Sequence, residues 1–426
     1  MSRIYFGLWL LLLWPSFLYA QDSFARNDLP FNDALALAEA HSPSLKAQTA
    51  ALASAKSAAK PAAALPDPKL VIGAENVPIS GADQGSLTRD FMTMEKIGVM
   101  QEVPNADKRQ ARVDVAIATV AKADAERAIA RLTVREAVAS AWLTRFYLER
   151  RLAVLSEFDR ENTLFSAVIQ AQLRGGKSVA GDAVMSAQEA ADLADRRDEL
   201  NQAIAQAKAE LKRFIGDDAY LPISGDAPTL AFDPLSLHQH VHHHPELAAY
   251  GPMTDLAKAE LRASQAEKKS DWGVELNYQR RGPLYSDMVS LQFTFDLPVF
   301  SGSRQGPRIE SKRYALEQVE AERETMLREH TAELDGDLAR YTTLKQQLAR
   351  LNNTRLPLAQ QKIDLQMASY RSGQSDLNSV LAARRELIET RLRAIDLESE
   401  RALLTAKLYF AYEEPNSQEN MPWAAN

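Results

Sequence analysis

Trp272, Val274, Leu276 and Tyr278 alternate with Gly273, Glu275, Asn277 and Gln279 along one run of the chain. Val289, Leu291, Phe293, Phe295 and Leu297 alternate with Ser290, Gln292, Thr294 and Asp296 along the next. A period of two gives each run one apolar and one polar face, which predicts strands over 272–280 and 288–298 around a loop at 281–287. Two more strand-like runs lie at 69–79 and 91–103, around the polar stretch Gly81–Asp90. Their alternation is less clean, because Met92, Met94 and Lys96 fall out of step. Strands of ~9–11 residues are long enough to cross a bilayer at a tilt. A soluble sandwich with one buried face would give the same pattern.

The remaining pattern is helical. Leu35, Leu37, Leu45 and Leu52 recur among alanines from Leu29 to Lys60, until Pro61, Pro66 and Pro68 stop the run. Helices are predicted from about Asn105 to Leu173, Val179 to Phe214, Pro234 to Lys268 with an interruption near Pro245, Gln305 to Tyr370, and Leu377 to Tyr412. The longest would reach ~100 Å at 1.5 Å per residue. Such rods bury an apolar stripe only against other helices, and Leu381, Ile388, Ile395, Ala402 and Tyr409 form a heptad seam for that purpose. Pro357 should kink or offset its helix.

The same order of elements occurs twice. Val103-Pro104 answers to Leu297-Pro298, Gly176 to Gly373, and Leu211 to Leu408. The chain therefore divides into a first repeat at 21–220, a connector at 221–234, a second repeat at 235–413 and a tail at 414–426. Residues 1–20 read as a signal peptide: Arg3, an apolar run from Ile4 to Leu13, then Ala20 before the cut. An uncleaved anchor is the alternative reading of that run. No later segment has the ~20 apolar residues of a membrane helix, so an exported chain could enter a membrane only as strands. Four strands are too few for a membrane barrel, whose smallest forms have about eight. Several chains must then share one barrel, and three would supply twelve strands.

Composition narrows the chemistry. The 426 residues carry a net charge of -7, which argues against a nucleic-acid partner. There is no cysteine, which removes disulfides, thiolate metal sites and a cysteine nucleophile. No hydrolase, zinc-protease or phosphate-loop motif is present, so neither an enzyme nor a cofactor is expected.

Across essentially its whole mature length the chain resembles the TolC family of outer-membrane factors. Pro66-Asp-Pro-Lys69, Glu75-Asn-Val-Pro78 and Met92–Pro104 with Lys108-Arg109 resemble the heavy-metal branch, the cobalt–zinc–cadmium and copper–silver exit ducts. The resemblance implies a mostly α fold with membrane β: a homotrimer with a twelve-stranded barrel in outer-membrane lipid above a periplasmic helical barrel. It also implies a periplasmic adaptor and an inner-membrane resistance–nodulation–division (RND) pump as partners, the duct itself being passive. Many relatives are lipid-anchored, whereas this chain lacks the cysteine near Ala20 that such an anchor needs. A duct for drugs or for type I protein secretion is the alternative. A periplasmic adaptor fits less well, since it would show one long hairpin instead of two.

The helix breaks at 174–178 and 371–375 are candidate sites. Glycine accepts the left-handed backbone that ends a helix, so both are hairpin turns in any case. By resemblance Arg174, Gly175, Gly176, Lys177, Arg371, Ser372, Gly373 and Gln374 are adaptor-docking tips, and Asp182 and Asp376 an entrance gate; those aspartates also suit a helix N-terminus. Five histidines crowd residues 238–244, where His240 and His244 would share a helix face as metal ligands, and Glu246 could join His242. A solvated helix start restarted by Pro245 is the expected reading, with no metal. His41 and His330 stand alone in sequence.

Overall fold

The computed structural model describes residues 27–176 and 179–413. The expected signal peptide at 1–20, the tail at 414–426 and Lys177 lie outside them. In chain order the elements are α1 (Phe31–His41), α2 (Pro43–Ala59), β1 (Lys69–Glu75), β2 (Met94–Val103), α3 (Ala106–Arg174), α4 (Ala180–Ile215), α5 (Leu237–His240), α6 (Pro245–Ala266), β3 (Trp272–Arg281), β4 (Met288–Phe295), α7 (Gln305–Arg350), α8 (Leu356–Arg371) and α9 (Leu377–Leu408). The chain is mostly helical with one small antiparallel sheet, as the patterning implied.

At 69 residues α3 is a single rod of ~100 Å. Pro104 ends β2, and the Asn105 side chain opens the helix by accepting the Lys108 amide at 2.9 Å. Its counterpart in the second repeat is split: a π-helical turn at Leu351–Arg355 separates α7 from α8. Pro357 follows immediately and cannot donate a backbone hydrogen bond, so the helix absorbs the loss by widening one turn rather than by breaking.

Apolar clusters succeed one another along the rods. Trp142 is fully buried among Phe31, Leu29, Val138 and Leu211. Leu155 and Phe158 meet Leu193, Leu387 and Ile388 farther along, and Ile169 meets Leu377 and Leu381 next to the hairpin tips. The heptad positions Leu381, Ile388 and Ile395 are all buried, while Ala402 and Tyr409 are partly so. The connector is pinned to α3. Arg145, 1% exposed, donates to the carbonyls of Ala219 and Leu221, each at 2.8 Å.

The sheet runs β1-β2-β3-β4, each pair antiparallel, so β2 and β3 join the two repeats. Three strands are shorter than the alternation suggested. β1 stops at Glu75 because Asn76 takes φ 56. β2 begins only at Met94, because Asp90 accepts the Met92 amide at 2.7 Å and the Thr93 hydroxyl donates to the Asn76 carbonyl at 2.9 Å. β4 ends at Phe295, before Pro298.

Sheet and rods meet at Asp271. Its carboxylate accepts from the Asn105 amide at 2.8 Å and from Lys108 Nζ at 2.6 Å. Lys108 is one of the residues that carried the branch resemblance, and here it fastens the first repeat to the second. Asp271→Ala leaves both donors without that partner, and a loss of about 1–3 kcal/mol is expected. Guanidinium unfolding of the detergent-purified chain would read it; a midpoint equal to wild type refutes this role for the clamp.

Candidate functional site

The two sheet faces differ sharply. Leu70, Val99, Leu276 and Leu291 form one row across all four strands, and Ile72, Ile97, Tyr278 and Val289 form the next. All eight are exposed, from 45% at Tyr278 to 71% at Ile72. An apolar band of that breadth on a single chain marks a surface built to be covered. The other face carries Lys96, Glu275, Asn277, Gln279, Ser290 and Gln292. Lys96 Nζ lies 3.1 Å from Glu75 and 2.9 Å from Glu275. Lys96 is therefore in step after all. It belongs to the polar face, although Met94 and Met100 share that face and Glu95 lies on the other, so the alternation of the first-repeat strands stays incomplete. Gly98, near it on the same face, leaves no room for a side chain: a Cβ there would sit 2.7 Å from the Leu276 carbonyl oxygen as well as 1.9 Å from Asn277 Oδ1.

At the opposite end the two hairpins turn side by side, and the Tyr370 hydroxyl donates to Gln172 Oε1 at 3.3 Å. Gly176 and Gly373 hold the left-handed backbone, with φ 68 and 74. Arg174, Gly175, Arg371, Ser372 and Gln374 are exposed around them. Arg174 Nε donates to the Gln170 carbonyl of its own helix at 3.3 Å. The two aspartates have local partners. Asp376 caps α9, accepting from the Ser379 amide at 2.9 Å and hydroxyl at 2.7 Å, which together hold its carboxyl below the usual range. Asp182 accepts the Val179 amide at 3.4 Å at the start of α4.

The histidines are arranged differently from the helical pairing considered above. α5 ends at His240, a 3-10 turn covers Val241–His243, and His244 takes ψ 127 as the N-cap of α6. The residue before a proline is pushed from the helical region, so Pro245 breaks the helix between His240 and His244. The pairing of His242 with Glu246 fails for the same reason. His240 instead lies 3.8 Å from Glu413 and stacks on His243. His330, solitary in sequence, is not solitary in space: its ring centre is 4.1 Å from that of His244, and its Nε2 is 3.1 Å from Glu246 Oε2. Both rings are buried, at 6% and 7% exposure. Burial holds the His244 imidazole down at about 4, and His330 adds to the effect. Close by, burial pushes the Glu136 carboxyl up to about 7, with Glu246 and Glu333 reinforcing and Lys407 opposing.

The family model described as Outer membrane efflux protein matches residues 238–412, nearly all of the second repeat. Over that stretch the chain is similar to the outer membrane efflux proteins. Its fold is that of TolC-like channels. CusC superimposes with a TM-score of 0.77 at 16% identity, covering 93% of this chain and 95% of that one. The outer membrane protein VceC from Vibrio cholerae gives 0.73 at 21%, covering 89% and 95%, and a membrane protein from Pseudomonas aeruginosa gives 0.78 at 18%, covering 89% of each. No curated protein matches the chain. At these identities the solved structures speak to the fold alone. Among the described residues no helix is long and apolar enough to cross a membrane.

Proposed function

We propose that this chain is one protomer of a homotrimeric outer-membrane efflux duct, through which heavy-metal cations leave the cell. The exposed apolar band on a four-stranded sheet carries the reading. Among the described residues its outer strands β1 and β4 each lack a neighbour on one side, and unpaired backbone groups are not tolerated in lipid. Pairing β4 of one protomer with β1 of the next closes a twelve-stranded barrel and places the polar face with Lys96 and Glu275 in the lumen. The rods then form a helical barrel in the periplasm. Their exposed tips, with Arg174 and Arg371, meet an adaptor that links the duct to an RND pump. Asp182 and Asp376 line the entrance there.

The metal cargo rests on the first-repeat stretches at 66–69, 75–78 and 92–104, and on the likeness of fold to CusC. A deletion strain is expected to become hypersensitive to one or more of zinc, cobalt, cadmium, copper and silver, and to recover when this chain is restored. A sensitivity profile unchanged for all five removes the metal cargo and leaves the duct standing.

A further inference from the structure

Among the described residues, one group of two buried histidines and a partly exposed glutamate has the composition and spacing of a metal site, and nothing in an efflux duct calls for it. His244, Glu246 and His330 each offer a ligand atom, and these atoms lie within 4.8 Å of one another. They come from two elements. His244 and Glu246 sit at the turn that opens α6, and His330 projects from the middle of α7.

We propose that His244, Glu246 and His330 bind one borderline divalent cation, of which Zn2+ is the representative, clamping the start of α6 to α7. Bonds of ~2.0–2.1 Å to nitrogen and oxygen place tetrahedral ligand atoms ~3.3 Å apart. The 3.1 Å between His330 Nε2 and Glu246 Oε2 already meets that spacing. The hydrogen bond from the Glu246 amide to His244 Nδ1 is long, at 3.3 Å, so little is lost in giving that lone pair to a metal. Local charge favours a cation as well. Glu246 and Glu333 face the two rings, and Lys407 is already taken by Glu333 at 2.6 Å and Asp337 at 2.7 Å. Three carboxylates against one ammonium leave two negative charges to be matched, with Glu136 behind them. Two imidazoles and a carboxylate without sulfur select Zn2+, Co2+ or Cu2+ over the soft monovalent ions Ag+ and Cu+. Water or Glu333 would supply the fourth ligand. This is a fixed clamp, not a station for cargo, so sensitivity of cells to metals does not report on it.

The titration must not read the four neighbouring histidines, so these are removed first. In the full chain with His238, His240, His242 and His243 replaced by Asn, calorimetry with Zn2+ is expected to find one site per chain. Glu246→Gln and His330→Gln, added to that background, are expected to weaken it by roughly 100-fold or more, since even outer-shell changes cost 10–100-fold. Circular dichroism shows whether each variant keeps its helices. Should His330→Gln unfold, Glu246→Gln on its partly exposed carboxylate still tests the site. Co2+ in the four-Asn background gives a third readout, an intense tetrahedral absorption band. No Zn2+ uptake in that background, unchanged affinity in the Gln variants, or a weak octahedral Co2+ spectrum would each overturn the proposal.

Discussion

Trp142→Ala is expected to destabilise the helical body by about 3–5 kcal/mol, the range for removing a fully buried tryptophan. Trp142 is 0% exposed and packs edge-on to Phe31 at 5.3 Å and stacked on Phe146 at 5.3 Å. Its indole Nε1 donates to the Leu29 carbonyl at 3.0 Å. The substitution opens a cavity where α1, α3 and the connector meet, and also strips a buried carbonyl of its partner. Leu29 is itself tied to the connector through the Pro222 carbonyl at 2.8 Å, so the damage spreads to the junction of the two repeats. Trp142→Phe keeps most of the ring packing and should recover more than half of the loss. Chemical denaturation followed by helical circular dichroism measures both. A loss below about 1 kcal/mol for Trp142→Ala would mean the site collapses around the gap, and that this cluster is not a rigid core.

Stability should depend on pH through Glu136. Its carboxyl is raised to about 7 in the folded chain from an ordinary 4.5. The folded state therefore keeps a proton that the unfolded state has released, and stability is lost as pH rises from 4.5 to 7. Above pH 7 the ionised carboxylate carries the whole penalty. Glu136→Gln should stabilise the chain by roughly 2–3 kcal/mol at pH 8, and by almost nothing at pH 4.5. His244 supplies the opposite slope. Its folded value of about 4 lies below the ordinary 6.5, so stability is lost as pH falls from 6.5 toward 4. In metal-stripped protein the two slopes offset each other between 4.5 and 6.5. Glu136→Gln should uncover the histidine slope there. Unfolding midpoints across pH 4.5–8 decide it, and equal midpoints for the two chains at pH 8 would show that Glu136 is solvated.

The architecture was legible where local chemistry decides the local structure. Clean alternation in β3 and β4 gave their faces, and the glycines at 176 and 373 gave the hairpin turns. Lys96 was misleading, because a lysine between Met94 and Ile97 looks like a break in the pattern. Only the register, which sets it between Glu75 and Glu275, shows that it belongs to the polar face. The histidines failed for a different reason. His244 and His330 meet because two helices pack, and no periodicity within either helix reports a contact between them. The proline after His244 was the available warning that His240 and His244 could not share a helical face.

The seam between β2 and β3 also sets a timetable. Val103 pairs with Trp272, and the whole first hairpin and the connector lie between them in sequence. Closing so long a loop is entropically unfavourable until the intervening chain is compact. The rods, held by contacts within and between neighbouring helices, can form early, while the sheet must wait for them. A newly made chain would thus carry its apolar band unassembled, and complete it only once both repeats are present to be joined.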